Sequence, residues 1–260
     1  MFVPVPMVTA ADISALLLTT EMVPLETLYD SSNGAYVCQL GDIQVVYKPL
    51  SFETQLWDFP DDTLGRREVA ASQIDQLLGW GLVPPTVWTD EAPFGPGSVQ
   101  LFIADAEVVD VAVVGEDEIP KDWFPILKGE LDSKPVVVIH RDAQELLQAA
   151  IFDAVINNAD RKGGHILRDG SDRLWLIDHG VVLHHESKLR TVLWGWVGVE
   201  IPSEFVEDLE RLQNSIGDVL DPNVFSNLEI EALATRISGL IHKGLPAPST
   251  AWPAVPWPIF

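Results

Sequence analysis

Two periodicities alternate along the chain. From residue 10, "AADISALLLTTE" carries apolar positions at helical spacing, with Asp12 near its N-terminus where a carboxylate suits the helix dipole. Three β-favouring runs follow, "MVPLETLYD", "GAYVCQL" and "DIQVVYKPL", punctuated by Gly34 and Gly41-Asp42, and they predict an antiparallel meander. "SFETQLWDFPDD" is irregular. "TLGRREVAASQIDQLLG" returns to helical spacing, with Leu64, Val69, Ala70, Ile74, Leu77 and Leu78 as its apolar positions. "LVPPTVWTD" and "GSVQLFIA" then read as two short strands.

The pattern breaks in "DAEVVDVAVVGEDEIPKDWFPILKGELDSKP", which is acidic, Pro-containing and aperiodic and reads as a connector. Beyond it, Leu146, Leu147, Ala150, Ile151, Ala154 and Val155 trace one face of a helix between Asp142 and Asn158. "HILRDGSDRLWLID" is a hairpin with Asp-Gly-Ser-Asp at its turn. "SEFVEDLERLQNSI", with Ser203 as its cap, and "NLEIEALATRISGLIHKG" read as helices. "LPAPSTAWPAVPWPIF" is Pro- and Trp-rich and reads as extended chain. The order predicts an α+β protein of two lobes: an N-terminal antiparallel sheet lobe with one helix, residues 12–103, and a C-terminal mostly helical lobe around the hairpin, residues 104–245. A tail, 246–260, follows.

Charge narrows the function classes. With 16 Lys and Arg against 39 Asp and Glu, the formal charge is −23. Such a chain has no bulk electrostatic reason to approach nucleic acid or an anionic bilayer. Cys38 is the only cysteine, so there is no disulfide framework or thiolate zinc cluster, and its apolar run marks it as a buried, inert thiol. "MFVPVPMVTA" lacks a basic region and a continuous apolar segment, and no run reaches the roughly 18 apolar residues of a membrane span. A cytoplasmic protein without integral membrane association is expected.

Phosphoryl transfer needs a held triphosphate, neutralised charge and an aimed hydroxyl. In chain order, Ser31, Ser32, Asn33 and Gly34 form a polar turn between strands that could approach phosphates closely. Lys48 ends the run "VVYK". Glu68 borders the apolar face of the following helix and needs a cation, which Lys48, Arg66 or Arg67 could supply. Asp160 follows the long helix, His165 stands five positions on, and Asp178 ends "RLWLID" before His179-Gly180. Singly these are ordinary loop residues. In this order and spacing they match a kinase's base, second metal ligand and principal metal ligand. "HRD" at His140-Arg141-Asp142 is a decoy: five residues beyond Asp142 stands Leu147, and Asp142 reads as the N-terminal carboxylate of the helix.

The chain resembles the phosphatidylinositol 3-/4-kinase superfamily. More narrowly, it is similar to short actinobacterial kinase-like proteins related to type II phosphatidylinositol 4-kinases. "SSNGAYV", "YKPL", "LWDFPDDTLGRREVAA", "GLVPPTV", "GSVQLFI", "NNADRKGGH", "IDHG" and "KLRTVLWGWVGVEIP" carry the likeness across about two thirds of the chain. The resemblance implies a protein-kinase-like fold, with ATP and Mg²⁺ or Mn²⁺. It makes Lys48 the phosphate-touching lysine, Glu68 its ion-pair partner, and Gln100, Leu101, Phe102 and Ile103 the hinge against adenine. Asp160 becomes the catalytic aspartate and Asp178 the metal ligand. The superfamily generally has Asn where this chain has His165, which could ligate metal, bond a phosphate or orient Asp160. Since Mg²⁺ prefers oxygen and Mn²⁺ tolerates nitrogen, His165 bears on the choice of metal. Only Lys188 and Arg190 are fully charged in the segment where lipid kinases read an anionic headgroup, so a protein hydroxyl or small cytosolic alcohol is the expected acceptor. A pseudokinase, or a transferase moving AMP with the same pocket, is the alternative.

Overall fold

The computed structural model describes residues 8–28 and 34–260. The turn residues Ser31, Ser32 and Asn33 lie outside the described residues. Helix α1 (Ala10–Thr19) opens the fold behind a capping box in which Thr9 and Asp12 satisfy each other's backbone N–H groups. Strands β1 (Met22–Leu28), β2 (Ala35–Leu40) and β3 (Ile43–Pro49) form the expected meander, and β4 (Thr86–Thr89) and β5 (Gly97–Leu101) complete a five-stranded antiparallel sheet in the order β1-β2-β3-β5-β4. Ile13, Cys38, Leu40, Val45, Tyr47 and Val99 form its core. Period-two alternation along β3 buries Val45 and Tyr47 and turns Lys48 to the opposite face. Burial raises the Cys38 thiol to about 11, which keeps it protonated and unreactive.

Helix α2 (Leu64–Leu78) ends at Gly79, whose left-handed conformation (φ 74°) lets its N–H reach the Asp75 and Gln76 carbonyls. Its inner residues Ala70, Ala71, Ile74 and Leu78 join the larger core, built mainly from the second lobe. Arg67, fully buried, fixes the helix there by donating to Glu229 (2.6 Å), the Val182 carbonyl (2.8 Å) and Thr63 (3.2 Å).

The supposed connector is a sheet. Strands β6 (Val111–Gly115), β7 (Trp123–Leu131) and β8 (Lys134–Arg141) pair in the order β6-β8-β7. Most of β7 is exposed, so it carries no buried stripe for a sequence pattern to show. Helix α3 (Gln144–Ile156) starts later than expected. Its N-cap is Ala143, and the Asp142 carboxylate accepts the Trp196 indole N–H (3.3 Å) instead of capping. The hairpin is β9 (Ile166–Arg168) and β10 (Leu174–Leu176). Helices α4 (Ser203–Asn214), α5 (Ile216–Val219) and α6 (Asn227–Lys243) complete the lobe. Ser203 is the first helical residue of α4 rather than its cap, which is Pro202. Residues 246–260 run without helix or strand across this lobe: the Ala254 carbonyl accepts from Thr191 and Trp194, and the Ile259 carbonyl from Gly163. Among the described residues no helix is long and apolar enough to cross a membrane.

Candidate active site

The structure brings together Lys48, Glu68 and Asp178 from β3, α2 and the end of the hairpin. The Lys48 ammonium forms an ion pair with Glu68 and donates to Asp178 Oδ1 at 2.9 Å. Of the three cations the sequence offered Glu68, Lys48 holds it; Arg67 is committed to Glu229, and Arg66 lies over the Trp88 ring (3.6 Å). Glu68 is buried and its second carboxylate oxygen has no hydrogen-bond partner among the described residues.

Charge follows from this crowding. The adjacent ammonium holds Asp178 far below the usual carboxylate range. Burial works against the charge on Lys48, but Asp178 and Glu68 outweigh it and raise the amine above its ordinary value. Burial pushes Glu68 up against the pull of Lys48. At neutral pH one cation therefore sits between two carboxyl groups, with Asp178 the more strongly ionised.

Asp178 stands in the left-handed region (φ 60°), which Asp tolerates better than most residues. Gly180 keeps the following chain close to α2: a Cβ there would lie 3.4 Å from Leu64 Cβ and 3.7 Å from a Glu68 oxygen. His165 Nε2 approaches Asp178 Oδ2 at 3.3 Å, while its buried Nδ1 has no hydrogen-bond partner among the described residues. Burial lowers His165 to about 4, so the ring is neutral at pH 7 and its Nε2 has a lone pair or a single N–H for whatever lies beside Asp178.

Asp160 sits in the loop after α3 and pairs with Lys162 (3.1 Å). Its carboxyl is raised by burial, offset in part by Lys162, with the Asp178 charge adding to the rise. The two aspartates thus interact electrostatically across the same site.

Sequence reasoning missed what holds this loop. Asp153 and Arg161 are both fully buried, and Asp153 accepts from Arg161 Nε (3.1 Å) and Nη2 (3.0 Å), from Asn158 (3.0 Å) and from Thr191 (3.2 Å). Arg161 also donates to the Ile177 carbonyl (2.9 Å) and bonds His179 Nε2 (2.8 Å), tying the Asp160 loop to the strand end that carries Asp178. Asn157 ends α3 in the left-handed conformation (φ 54°), and its side chain bonds the His184 and Glu186 carbonyls and the Lys188 N–H. The signal was present: an aspartate inside "AAIFDAVI" faces a core on every side and needs a buried cation.

At the proposed hinge, the Gln100 side chain turns into the first lobe and donates to Thr86 (2.8 Å). The Leu101 and Phe102 N–H groups go to the Pro85 and Gln44 carbonyls, whereas Ile103 N–H makes no hydrogen bond among the described residues. Gly34, the described end of the polar turn, is left-handed (φ 57°) and lies against Phe52, where a Cβ would meet that side chain at 3.0 Å.

The chain is 37% identical to Protein Rv2133c of Mycobacterium tuberculosis over 268 aligned positions, covering 96% of each protein. The chain belongs to the family of that mycobacterial protein. No family model matches it. Among solved structures, the Golgi casein kinase superposes with a TM-score of 0.54 at 13% identity, covering 90% of this chain and 74% of that one. The chain therefore has a two-lobed, protein-kinase-like fold. The Helicobacter pylori proinflammatory kinase CtkA gives a TM-score of 0.47 at 12% identity over 86% of this chain and 93% of that one.

Proposed function

We propose that this protein is an ATP-dependent phosphotransferase of the phosphatidylinositol 3-/4-kinase-like type, acting on a hydroxyl of a protein or small molecule. In this reading residues 12–103 form the nucleotide lobe and 104–245 the catalytic lobe. One observation carries the proposal: strand, helix and hairpin end converge so that Lys48 is held between Glu68 and Asp178, with Asp160 within electrostatic reach. Lys48 contacts the α- and β-phosphates and Glu68 keeps it aimed. Gly34 lets the turn approach the phosphates, with Ser31, Ser32 and Asn33 as donors. Ile103 supplies the hinge N–H to adenine, alongside Gln100, Leu101 and Phe102.

The protein's own donors fit a phosphate-bound divalent ion. Among the described residues no three His, Cys, Asp or Glu side chains cluster as a metal cage, and Mg²⁺ in such sites takes one or two carboxylates plus phosphates and water. Asp178 would hold the ion with His165 beside it; the ion would neutralise charge developing on the phosphates. Asp160, its carboxyl raised by burial above its ordinary value, accepts the acceptor's proton. The hydroxyl oxygen bonds to the γ-phosphorus as the bond from that phosphorus to the β–γ bridging oxygen breaks, and ADP leaves with the electron pair.

The test is incubation of purified protein with an extract of small metabolites and proteins and ATP labelled in the α- or γ-phosphate. Transfer of γ-label, lost in Asp160→Asn, is expected. Transfer of α-label would make it an AMP transferase, and transfer of neither, with nucleotide bound, a regulatory module.

A further inference from the structure

Residues 246–260 reach the loop between Asp160 and His165. The Ile259 carbonyl accepts the Gly163 N–H at 2.7 Å. Gly163 opens a single 3₁₀ turn, Gly163–His165, which carries His165 to Asp178. Within it the His165 N–H goes to the Lys162 carbonyl (3.2 Å) and the Ile166 N–H to the Gly163 carbonyl. The first N–H of a helical turn has no partner inside the turn. Ile259 supplies the acceptor that the turn lacks.

The next residue accounts for the glycine. Gly163 is buried and its φ lies outside the left-handed region, so its backbone conformation does not demand glycine. Space does. A Cβ on Gly163 would lie 2.5 Å from Phe260 Cε1, 2.9 Å from Cδ1 and 3.0 Å from Cζ. At Gly164 it would lie 3.9 Å from the Phe260 carbonyl carbon. The two glycines therefore form a seat for Phe260, whose outer side stays in water at 48% exposure.

The rest of this segment holds the ring in place. Pro256 is buried and Ile259 packs against the main core. The Ala254 carbonyl accepts from the Thr191 N–H (3.1 Å) and the Trp194 indole (2.8 Å). Thr191 also donates to Asp153, whose pair with Arg161 mounts the Asp160 loop. The segment is thus bonded to the loop at Gly163 and to the strip beside it at Thr191. Lifting it away would strip both N–H groups of their acceptors, which marks it as part of the site's framework rather than a loose cover.

We propose that Phe260 is a positioning residue of the active site: seated on Gly163 and Gly164, it fixes the turn that sets His165 against Asp178. The proposal rests on the phosphotransferase reading, in which Asp178 holds the nucleotide-bound ion with His165 beside it. Phe260 acts through the turn and touches no reacting atom. Without the ring, the turn is free to shift and His165 leaves its place 3.3 Å from Asp178 Oδ2.

The test uses the full chain with Phe260→Ala, Gly163→Ala and the two combined, melting midpoints showing that each is folded. In Gly163→Ala the new methyl group evicts the ring, so the single variants should behave alike and the double should be no worse than either. The first readout needs no nucleotide: the His165 imidazole signals in long-range ¹H–¹⁵N spectra, assigned with His165→Asn. Both single variants should move these signals and leave those of His242, on α6, in place. The second readout is calorimetry of ATP with and without Mg²⁺ or Mn²⁺. Metal-supported binding should weaken by about 10–100-fold, as when a partner that orients a metal ligand is lost, and metal-free binding should not change. Unmoved His165 signals in Phe260→Ala would overturn the proposal whether or not ATP binds. Moved signals with unchanged metal-supported affinity, or additive effects of the two substitutions, would also overturn it. A wild type that binds no ATP would overturn the phosphotransferase reading itself and with it the positioning role, while moved His165 signals would still show the seat.

Discussion

Replacing Asp153 with Asn tests the internal pair on which the site is mounted. The change is isosteric but removes the anion that pairs with the Arg161 guanidinium, its only salt-bridge partner among the described residues and itself fully buried. What remains around Arg161 is neutral: the Ile177 carbonyl (2.9 Å), the His165 carbonyl (3.3 Å) and His179 Nε2 (2.8 Å). Leaving one partner of a buried pair uncompensated costs about 3–5 kcal/mol. At roughly 2–4 °C per kcal/mol for a chain of this size, the melting midpoint should fall by about 6–20 °C. Urea unfolding followed by tryptophan fluorescence, with the slope checked for constancy, gives the free energy directly. The double variant Asp153→Leu, Arg161→Met removes both charges and should be more stable than Asp153→Leu or Arg161→Met alone, giving a coupling of several kcal/mol in the cycle those three variants complete. Its recovered stability should come without recovered nucleotide chemistry, because the tie between the Asp160 loop and the Ile177 carbonyl is gone. A single-variant cost below about 1 kcal/mol, or a double variant as unstable as the sum of the singles, would refute the reasoning.

His140 supplies a pH test away from the site. Its Nδ1 is 2.9 Å from the Arg141 carbonyl and its Nε2 accepts from the Gly195 N–H (3.0 Å), so the buried ring is the neutral Nδ1–H tautomer, and burial lowers it to about 4. Between about pH 6.5 and 4 the unfolded chain takes up this proton and the folded chain does not, so stability is lost as pH falls across that window. The slope is up to about 1.4 kcal/mol per pH unit. His140→Gln should flatten the slope over that window in urea titrations repeated at each pH; an unchanged slope would remove His140 as its source. His165→Asn exchanges a nitrogen beside Asp178 for an amide oxygen, and calorimetry should show the ratio of Mg²⁺- to Mn²⁺-supported nucleotide affinity rising; an unchanged ratio would show that His165 does not touch the ion.

Where local periodicity was strong, the fold was legible. The β1–β3 meander, α2 and the hairpin each announced themselves through a buried stripe bounded by turn residues. The β6–β8 sheet did not, because β7 leaves most of its residues in water and its charges interrupt any alternation. Helix starts were misread by a residue or two where a plausible capping side chain found another use, as Asp142 did with the Trp196 indole. In the site, chain order alone sufficed to suggest that Lys48, Glu68 and Asp178 belong together, and the structure brings them into contact. The Asp153–Arg161 pair and the contact between the Trp57 and Trp252 rings, whose centroids are 6.4 Å apart, were hidden for different reasons. The first was signalled by a lone charge in an apolar helix, whereas the second joins segments nearly two hundred residues apart with no local mark.

The most direct measurement is calorimetric titration of ATP into the wild-type protein and into Asp178→Asn, each with and without Mg²⁺ or Mn²⁺. The account predicts metal-dependent binding to the wild type that the substitution abolishes, while the variant stays folded. ATP binding that is indifferent to metal, or equally tight in Asp178→Asn, would contradict the proposal that Asp178 holds a nucleotide-bound metal ion.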